Sequence, residues 1–94
     1  MLKIIRKKVD ELKAIQFDGT YNCFCYMKTV FGDFYSSYSA NESKNEVYNL
    51  RVRCENNDIY YVNIGDYVVF HKRNFHVISQ TEFNKSYEVL NTKH

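Results

Sequence analysis

Proline and tryptophan are absent from this 94-residue chain, and glycine occurs only three times. Turns must therefore lean on Asn, Asp and Ser, whose short polar side chains bond back to nearby backbone and tolerate positive φ. There is no glycine-rich loop to cradle a phosphate and no serine in a nucleophile-elbow setting. Long apolar runs are lacking as well, since stretches such as Tyr67–Phe70 are far too short to span a bilayer. The opening residues MLKIIRKK are basic but hold no apolar region of signal-peptide length, which points to a cytoplasmic protein with no membrane partner. Strong charge of either sign is also missing. Thirteen basic residues stand against eleven acidic ones, for a formal net charge of +2. That balance excludes an acidic mimic of DNA and falls short of the basic excess usual in nucleic-acid binders. Cysteine is sparse and odd in number: Cys23, Cys25 and Cys54 read as reduced thiols packed as small apolar groups.

What the chain has is aromatic and β-branched material. Nine Tyr and seven Phe supply most of the bulky core candidates, and 45% hydrophobic residues are too many for a disordered chain. The length fits one domain, residues 1–94, with a real but thin core. From Ile59 to Ser79 three β-favouring runs are separated by turn signals at Gly65-Asp66 and Arg73-Asn74, which predicts a tight antiparallel meander. Upstream, Leu50, Val52 and Cys54 alternate with Arg51, Arg53 and Glu55, a half-buried strand closed by the turn Asn56-Asn57-Asp58. Four successive strands pairing with their neighbours follow from this pattern.

Near the start, Glu11–Phe17 reads as a strand that ends at Asp18-Gly19. Thr20–Phe31 predicts a helix: Asp18 or Thr20 as N-cap, Gly32 beyond its end, and Cys23, Phe24, Met27, Val30 and Phe31 along one face. Asp33–Asn49 is the stretch least readable by pattern, because Phe34, Tyr35 and Tyr38 do not fit one clean period. It reads as a strand followed by a long loop, with Ala40–Lys44 as a mobile tip. Its aromatics either close an edge of the core or serve as binding contacts on a loop. Thr81–Asn84 predicts one capped helical turn and Tyr87–Leu90 a last short strand.

Three kinds of chemistry can be tested on these residues. For a metal, Cys23-x-Cys25 lies on the helix, where positions two apart point about 200° away from each other and cannot share an ion. His71 and His76 flank a hairpin turn and can approach across it. For nucleophilic catalysis, Cys54 alternates with core positions and reads as inert, and Asp66 reads as a turn residue bonding its own backbone. No cofactor, metal or catalytic residue is expected, and the reading is not an enzyme. For nucleic acid, Arg51, Arg53, the Lys72-Arg73 tip and the cluster Lys3, Arg6, Lys7 and Lys8 supply charge, with Tyr60 or Tyr61 as a stacking surface. The same charges equally serve to solvate an exposed sheet face.

Two blocks carry a resemblance. The first runs from Arg6-Lys7-Lys8 to Glu11-Leu12-Lys13-Ala14-Ile15-Gln16-Phe17-Asp18-Gly19-Thr20. The second is Val62-Asn63-Ile64-Gly65-Asp66-Tyr67-Val68-Val69, continuing to Phe83 and Tyr87-Glu88. In order and spacing they resemble a family of small proteins encoded by phages and prophages, with an A-[IV]-Q-[FW]-x-G block, a V-x-x-G-D-[WY]-[IV]-[IV] block and an F-x-x-x-[YF] ending. Val9 stands where that family usually has proline, and Lys72-Arg73-Asn74 replaces a glycine-containing hairpin. The family has no assigned activity. The resemblance implies a phage origin, an accessory role in the cytoplasm of the bacterial host, and fold-determining roles for Gly65, Phe17 and Tyr67.

Together these readings predict an α+β domain: a twisted antiparallel sheet of about five strands, a meander, with one helix packed on it. The expected function is non-enzymatic binding that inhibits or modulates a host macromolecule. The leading form is counter-defence of the anti-CRISPR kind, with a host protein such as a CRISPR effector as partner. A nucleic-acid-binding accessory module and a structural phage component are the alternatives. Contacts are expected on Phe34, Tyr35, Tyr38, Arg51, Arg53, Lys72, Arg73 and Asn74, because Tyr and Arg are the usual anchors of such surfaces.

Overall fold

A computed structural model describes residues 12–86. The predicted Tyr87–Leu90 strand and the basic cluster Lys3, Arg6, Lys7 and Lys8 lie outside the described residues. The elements are β1 (Leu12–Gln16), α1 (Tyr21–Phe31), β2 (Tyr35–Asn41), β3 (Glu46–Arg53), β4 (Ile59–Tyr61), β5 (Tyr67–His71), β6 (Asn74–Ile78) and α2 (Gln80–Ser86). The α+β class is as expected. The single five-stranded sheet is not: the strands form two antiparallel three-stranded sheets, ordered β1-β5-β6 and β2-β3-β4.

The division follows from where the Val62–Asp66 segment finds its hydrogen bonds. Val62 N–H still donates to Leu50 O at 2.9 Å, but beyond it the chain turns. Asp66 Oδ2 accepts from Asn63 N–H, and Asp66 N–H donates to Asn63 O, each at 2.9 Å. Gly65, at φ +99°, donates its N–H to Phe17 O at 2.8 Å, and Phe17 N–H donates to Asp66 O at 2.9 Å. This turn is bonded to the end of β1, so β5 emerges beside β1 rather than beside β4. Asp66 has the local role read from its sequence, and Gly65 supplies the positive φ that a side chain would resist.

Helix α1 begins as predicted. Thr20 Oγ1 accepts from Cys23 N–H at 3.0 Å, and Asp18 Oδ1 accepts from both the Thr20 hydroxyl, at 2.6 Å, and the Thr20 N–H, at 2.9 Å. Those two bonds, the hydroxyl's first, hold the Asp18 carboxyl below its ordinary range. Its small contribution to stability is present above the ordinary carboxylate pKa and fades as the pH falls through the lowered one. At the other end Gly32, at φ +76°, donates its N–H to Lys28 O. Phe24 and Met27 are fully buried, and they join Phe17, Phe34, Val47, Leu50, Val52, Val62 and Val68 in one cluster to which both sheets contribute. On the far face of β1-β5-β6 the short helix α2, capped by Ser79 Oγ, stacks Phe83 on Tyr67 with ring centroids 3.8 Å apart.

The stretch read as a strand followed by a long loop is a hairpin of two strands, β2 and the start of β3. Asn41 and Asn45 close the hairpin between β2 and β3 around a 3-10 turn, Glu42–Lys44. Asn45 sits in the left-handed region, and its Oδ1 accepts from Asn22 N–H at 2.9 Å while its O accepts from Tyr21 N–H at 3.2 Å. The tip thus satisfies the free donors at the start of α1, which ties the hairpin to the helix.

The β5–β6 hairpin turns through Lys72 and Arg73, both at positive φ (52° and 70°), between the paired residues His71 and Asn74. This is the turn geometry that favours Asn-Gly, and each non-glycine residue held there costs roughly 1 kcal/mol. Lys72→Asn with Arg73→Gly is expected to raise stability by about 1–2 kcal/mol. A higher urea midpoint at unchanged slope checks it; an unchanged or lower midpoint contradicts the turn assignment.

Candidate functional site

The candidate surface is built on β3, where the alternation is broken once. Leu50 and Val52 face the core, as read from the sequence, and strict alternation would send Tyr48 and Glu46 inward with them. Asn49 instead adopts φ +57°, and the β2–β3 register shifts between the pairs Ser37–Arg51 and Ser39–Tyr48. The bulge restores Val47 to the core and leaves Tyr48 outside. A second irregularity lies between the pairs Tyr35–Val52 and Ser37–Arg51, so that Ser36 is the extra residue on β2. It turns Tyr35 to the inner side.

These two bulges decide which aromatics can meet a partner. Phe34 is 2% exposed and belongs to the core. Tyr35 packs edge-on against Phe24 at 5.3 Å, and the Tyr38 ring lies 4.4 Å from that of Phe24. Burial of Phe34 corrects its placement as a contact residue, while Tyr35 and Tyr38 pack one side of their rings on Phe24. Tyr35 stays partly buried, and Tyr38 is 37% exposed. Lys72 and Arg73 are exposed and Asn74 half-buried, but they form the turn of the other sheet, where Asn74 Nδ2 donates to Lys72 O at 3.3 Å.

Arg51 and Arg53 are where the alternation put them, on the outer face of β2-β3-β4. Opposite them stand Tyr61 and Ile59, respectively, on β4. Tyr48, Ile59 and Tyr61 are 49%, 47% and 56% exposed, too open to serve the core. The Arg51 guanidinium lies over the Tyr61 ring, 5.0 Å from its centroid. Among the described residues neither arginine has a carboxylate partner. Tyr61 was readable as a stacking surface; Tyr48 and Ile59 were missed. The signal for Ile59 was its position two residues from Tyr61. For Tyr48 it was the asparagine that follows, a residue tolerant of positive φ inside an otherwise clean strand.

A second feature was not visible in the sequence. The β3–β4 turn approaches the edge of β6 and leaves an open cleft of about 460 Å³ lined by Cys54, Glu55, Asn56, Asp58, Tyr60, His71, His76, Val77 and Ile78. His71 and His76 do share one site, as the hairpin reading allowed. No group of three or more His, Cys, Asp or Glu among the described residues is arranged to hold a metal ion. Burial pushes the Cys54 thiol up, so near neutral pH it is a protonated, poor nucleophile. The Cys23 thiol is raised for the same reason and lies 3.5 Å from Gln16 O. The Tyr21 phenol is pushed up to about 12, first by its hydrogen bond with Cys25. None of these groups is poised as a nucleophile or base, whereas the outer face of β2-β3-β4 has the residue types of a contact surface.

No family model matches the chain, and comparison with curated proteins and with solved structures gives no significant match. The resemblance to the phage-encoded family therefore rests on its sequence blocks. No helix among the described residues is long and apolar enough to cross a membrane.

Proposed function

We propose that this protein acts by binding and not by catalysis, and that it docks a partner protein on the outer face of β2-β3-β4. The observation that carries the reading is the group Arg51, Arg53, Tyr61, Ile59 and Tyr48 gathered on one sheet face that no other described element covers, with Arg51 already stacked on Tyr61. Arg and Tyr are the residues that most often dominate binding energy, because they combine large contact area with directed hydrogen bonds. A face of three strands can contribute to a contact of order 800 Å² per partner. Charge favours protein over nucleic acid as that partner: Glu46 lies on β3 itself and Glu55 and Asp58 in the adjoining turn, so the face has no sustained positive field. The phage-family resemblance gives this binding a biological setting, inhibition of a bacterial host component, with a defence protein such as a CRISPR effector as its most concrete form.

The test is co-purification from bacterial lysate, with and without nuclease, using the wild-type chain and an Arg51→Ala/Tyr61→Ala variant. A partner protein that survives nuclease and is lost with the variant is the expected result. Loss of every partner on nuclease treatment would replace this reading by the nucleic-acid one, and capture undiminished by the variant would move the site elsewhere.

A further inference from the structure

The outer face ends at an open edge, and the hydrogen bonds of β4 show which of its groups are free. In the β3–β4 ladder, Leu50 O accepts from Val62 N–H and Cys54 N–H donates to Asp58 O. Hydrogen-bonded pairs alternate along an antiparallel ladder, so Val52–Tyr60 is also such a pair, and Arg51–Tyr61 and Arg53–Ile59 are the non-bonded ones. The N–H and C=O of Tyr60 are thus directed to β3. Those of Ile59 and Tyr61 point the other way, to the side of β4 on which the sheet has no further strand among the described residues. Two residues, two apart, therefore offer the donors and acceptors that an added strand would use. Neither is Lys or Pro, the residues that usually make an edge unattractive.

The side chains next to this edge select a chemistry. Ile59 and Tyr61 share the outer face with Arg53 and Arg51. The Arg51 charge lies above the Tyr61 ring, which places it over β4 and about one strand spacing, roughly 4.8 Å, from any strand added there. Residues of that strand opposite Ile59 and Tyr61 would project on the same outer face, beside the two arginines. Both guanidiniums lack a carboxylate among the described residues.

We infer that β4 is the receiving edge for an extended segment of the partner protein, held by strand addition, whose side chains at two alternate positions are Asp or Glu and lie against Arg51 and Arg53. The inference rests on the proposed binding function and specifies its mode: main-chain bonds at Ile59 and Tyr61 supply pairing, and the alternate carboxylates supply selectivity. Spacing is the reason both arginines can be met at once. Residues i and i+2 of a strand are about 6.7 Å apart, the same interval that separates Arg51 from Arg53 along β3.

The test is selection of a random dodecapeptide library on the immobilised full-length protein, followed by NMR titration of the enriched peptides. Enriched peptides are expected to carry Asp or Glu at i and i+2. They should slow hydrogen exchange at the Ile59 and Tyr61 amides, and Arg51→Glu/Arg53→Glu should weaken them at least about tenfold. Shifts on Tyr48 and Tyr61 side chains without protection of the two amides would overturn strand addition while leaving the binding face in place. Enrichment without acidic alternation, or peptides that bind the charge-reversed variant equally well, would overturn the inferred partner chemistry. No enrichment, together with binding of an oligo-dT probe on the same face, would overturn both this mode and the protein-binding reading.

Discussion

Met27→Asp is expected to leave the protein unfolded at pH 7 and 25 °C. Met27 is 0% exposed and packs in the cluster with Phe24, Phe34 and Leu50, and among the described residues no buried cation stands near to compensate a carboxylate, since their buried side chains are all apolar. Two losses add. The methionine's buried area is worth about 2 kcal/mol, and an unpaired charge in an apolar layer costs several kcal/mol more. A domain of this length has a total stability of order 5–10 kcal/mol, so little or none would remain. The sign of the pH dependence separates this cause from simple cavity formation. Burial raises the folded-state pKa of the new carboxyl above its unfolded value, so the penalty is largest above the raised pKa and shrinks as the pH falls toward the unfolded one. Structure should therefore be regained in part near pH 4–5, as read by near-ultraviolet circular dichroism, before general acid unfolding sets in. Met27→Leu keeps the volume and should cost less than about 1.5 kcal/mol. A Met27→Asp protein melting within a few degrees of wild type would show that α1 does not bury this face.

The helix that carries this prediction was legible because its information is local. A cap, a three-and-four spacing of apolar residues and a terminal glycine all lie within Asp18–Gly32, and each appears in the structure in its expected role. The strands from Leu50 onward were legible for the same reason, with period-two alternation and turns built on Asn56-Asn57 and on Gly65. Their division into two sheets was not. It depends on Phe17 donating to Asp66 O and accepting from Gly65 N–H across almost fifty residues of sequence, and nothing in the composition of Val62–Asp66 announces that pairing. The proposed contact face was half legible. Arg51 and Arg53 followed from alternation, whereas Phe34, Tyr35 and Tyr38 gave no period to read, and the extra residue Ser36 on β2 is part of the reason. A period-two reading has no means of registering one extra residue.

Asn49→Val is expected to destabilise the protein by about 2 kcal/mol, and deletion of Asn49 to cost less than the substitution. Asn49 is the extra residue of the β3 bulge and holds φ +57°, a conformation that asparagine tolerates and a β-branched residue resists. Valine has two ways out. It can accept the left-handed backbone, at roughly 1–2 kcal/mol, or it can extend the strand. Extension would reverse every position before Leu50, turning Val47 out and bringing Tyr48 and Glu46 in, which removes a buried valine and buries a carboxylate. Deletion imposes neither choice. With Asn49 absent, Tyr48 adjoins Leu50, and simple alternation already places Val47 and Leu50 inside with Tyr48 and Arg51 outside. The partner strand then offers Ser39, Tyr38 and Ser37 to Tyr48, Leu50 and Arg51 one for one, where the bulged strand sets four residues against three. Asn49→Gly keeps the bulge and should be nearly neutral. Urea midpoints for the three variants check the ranking, glycine mildest and valine worst. Exchange protection at Val47 distinguishes a strained bulge from a reversed strand. A deletion more damaging than valine would mean that the bend made by the bulge, and not the facing of Val47, is what holds β3 against α1. In that case the outer surface carrying Tyr48, Arg51 and Arg53 would owe its shape to curvature, and the contact site would have to be redrawn around that bend.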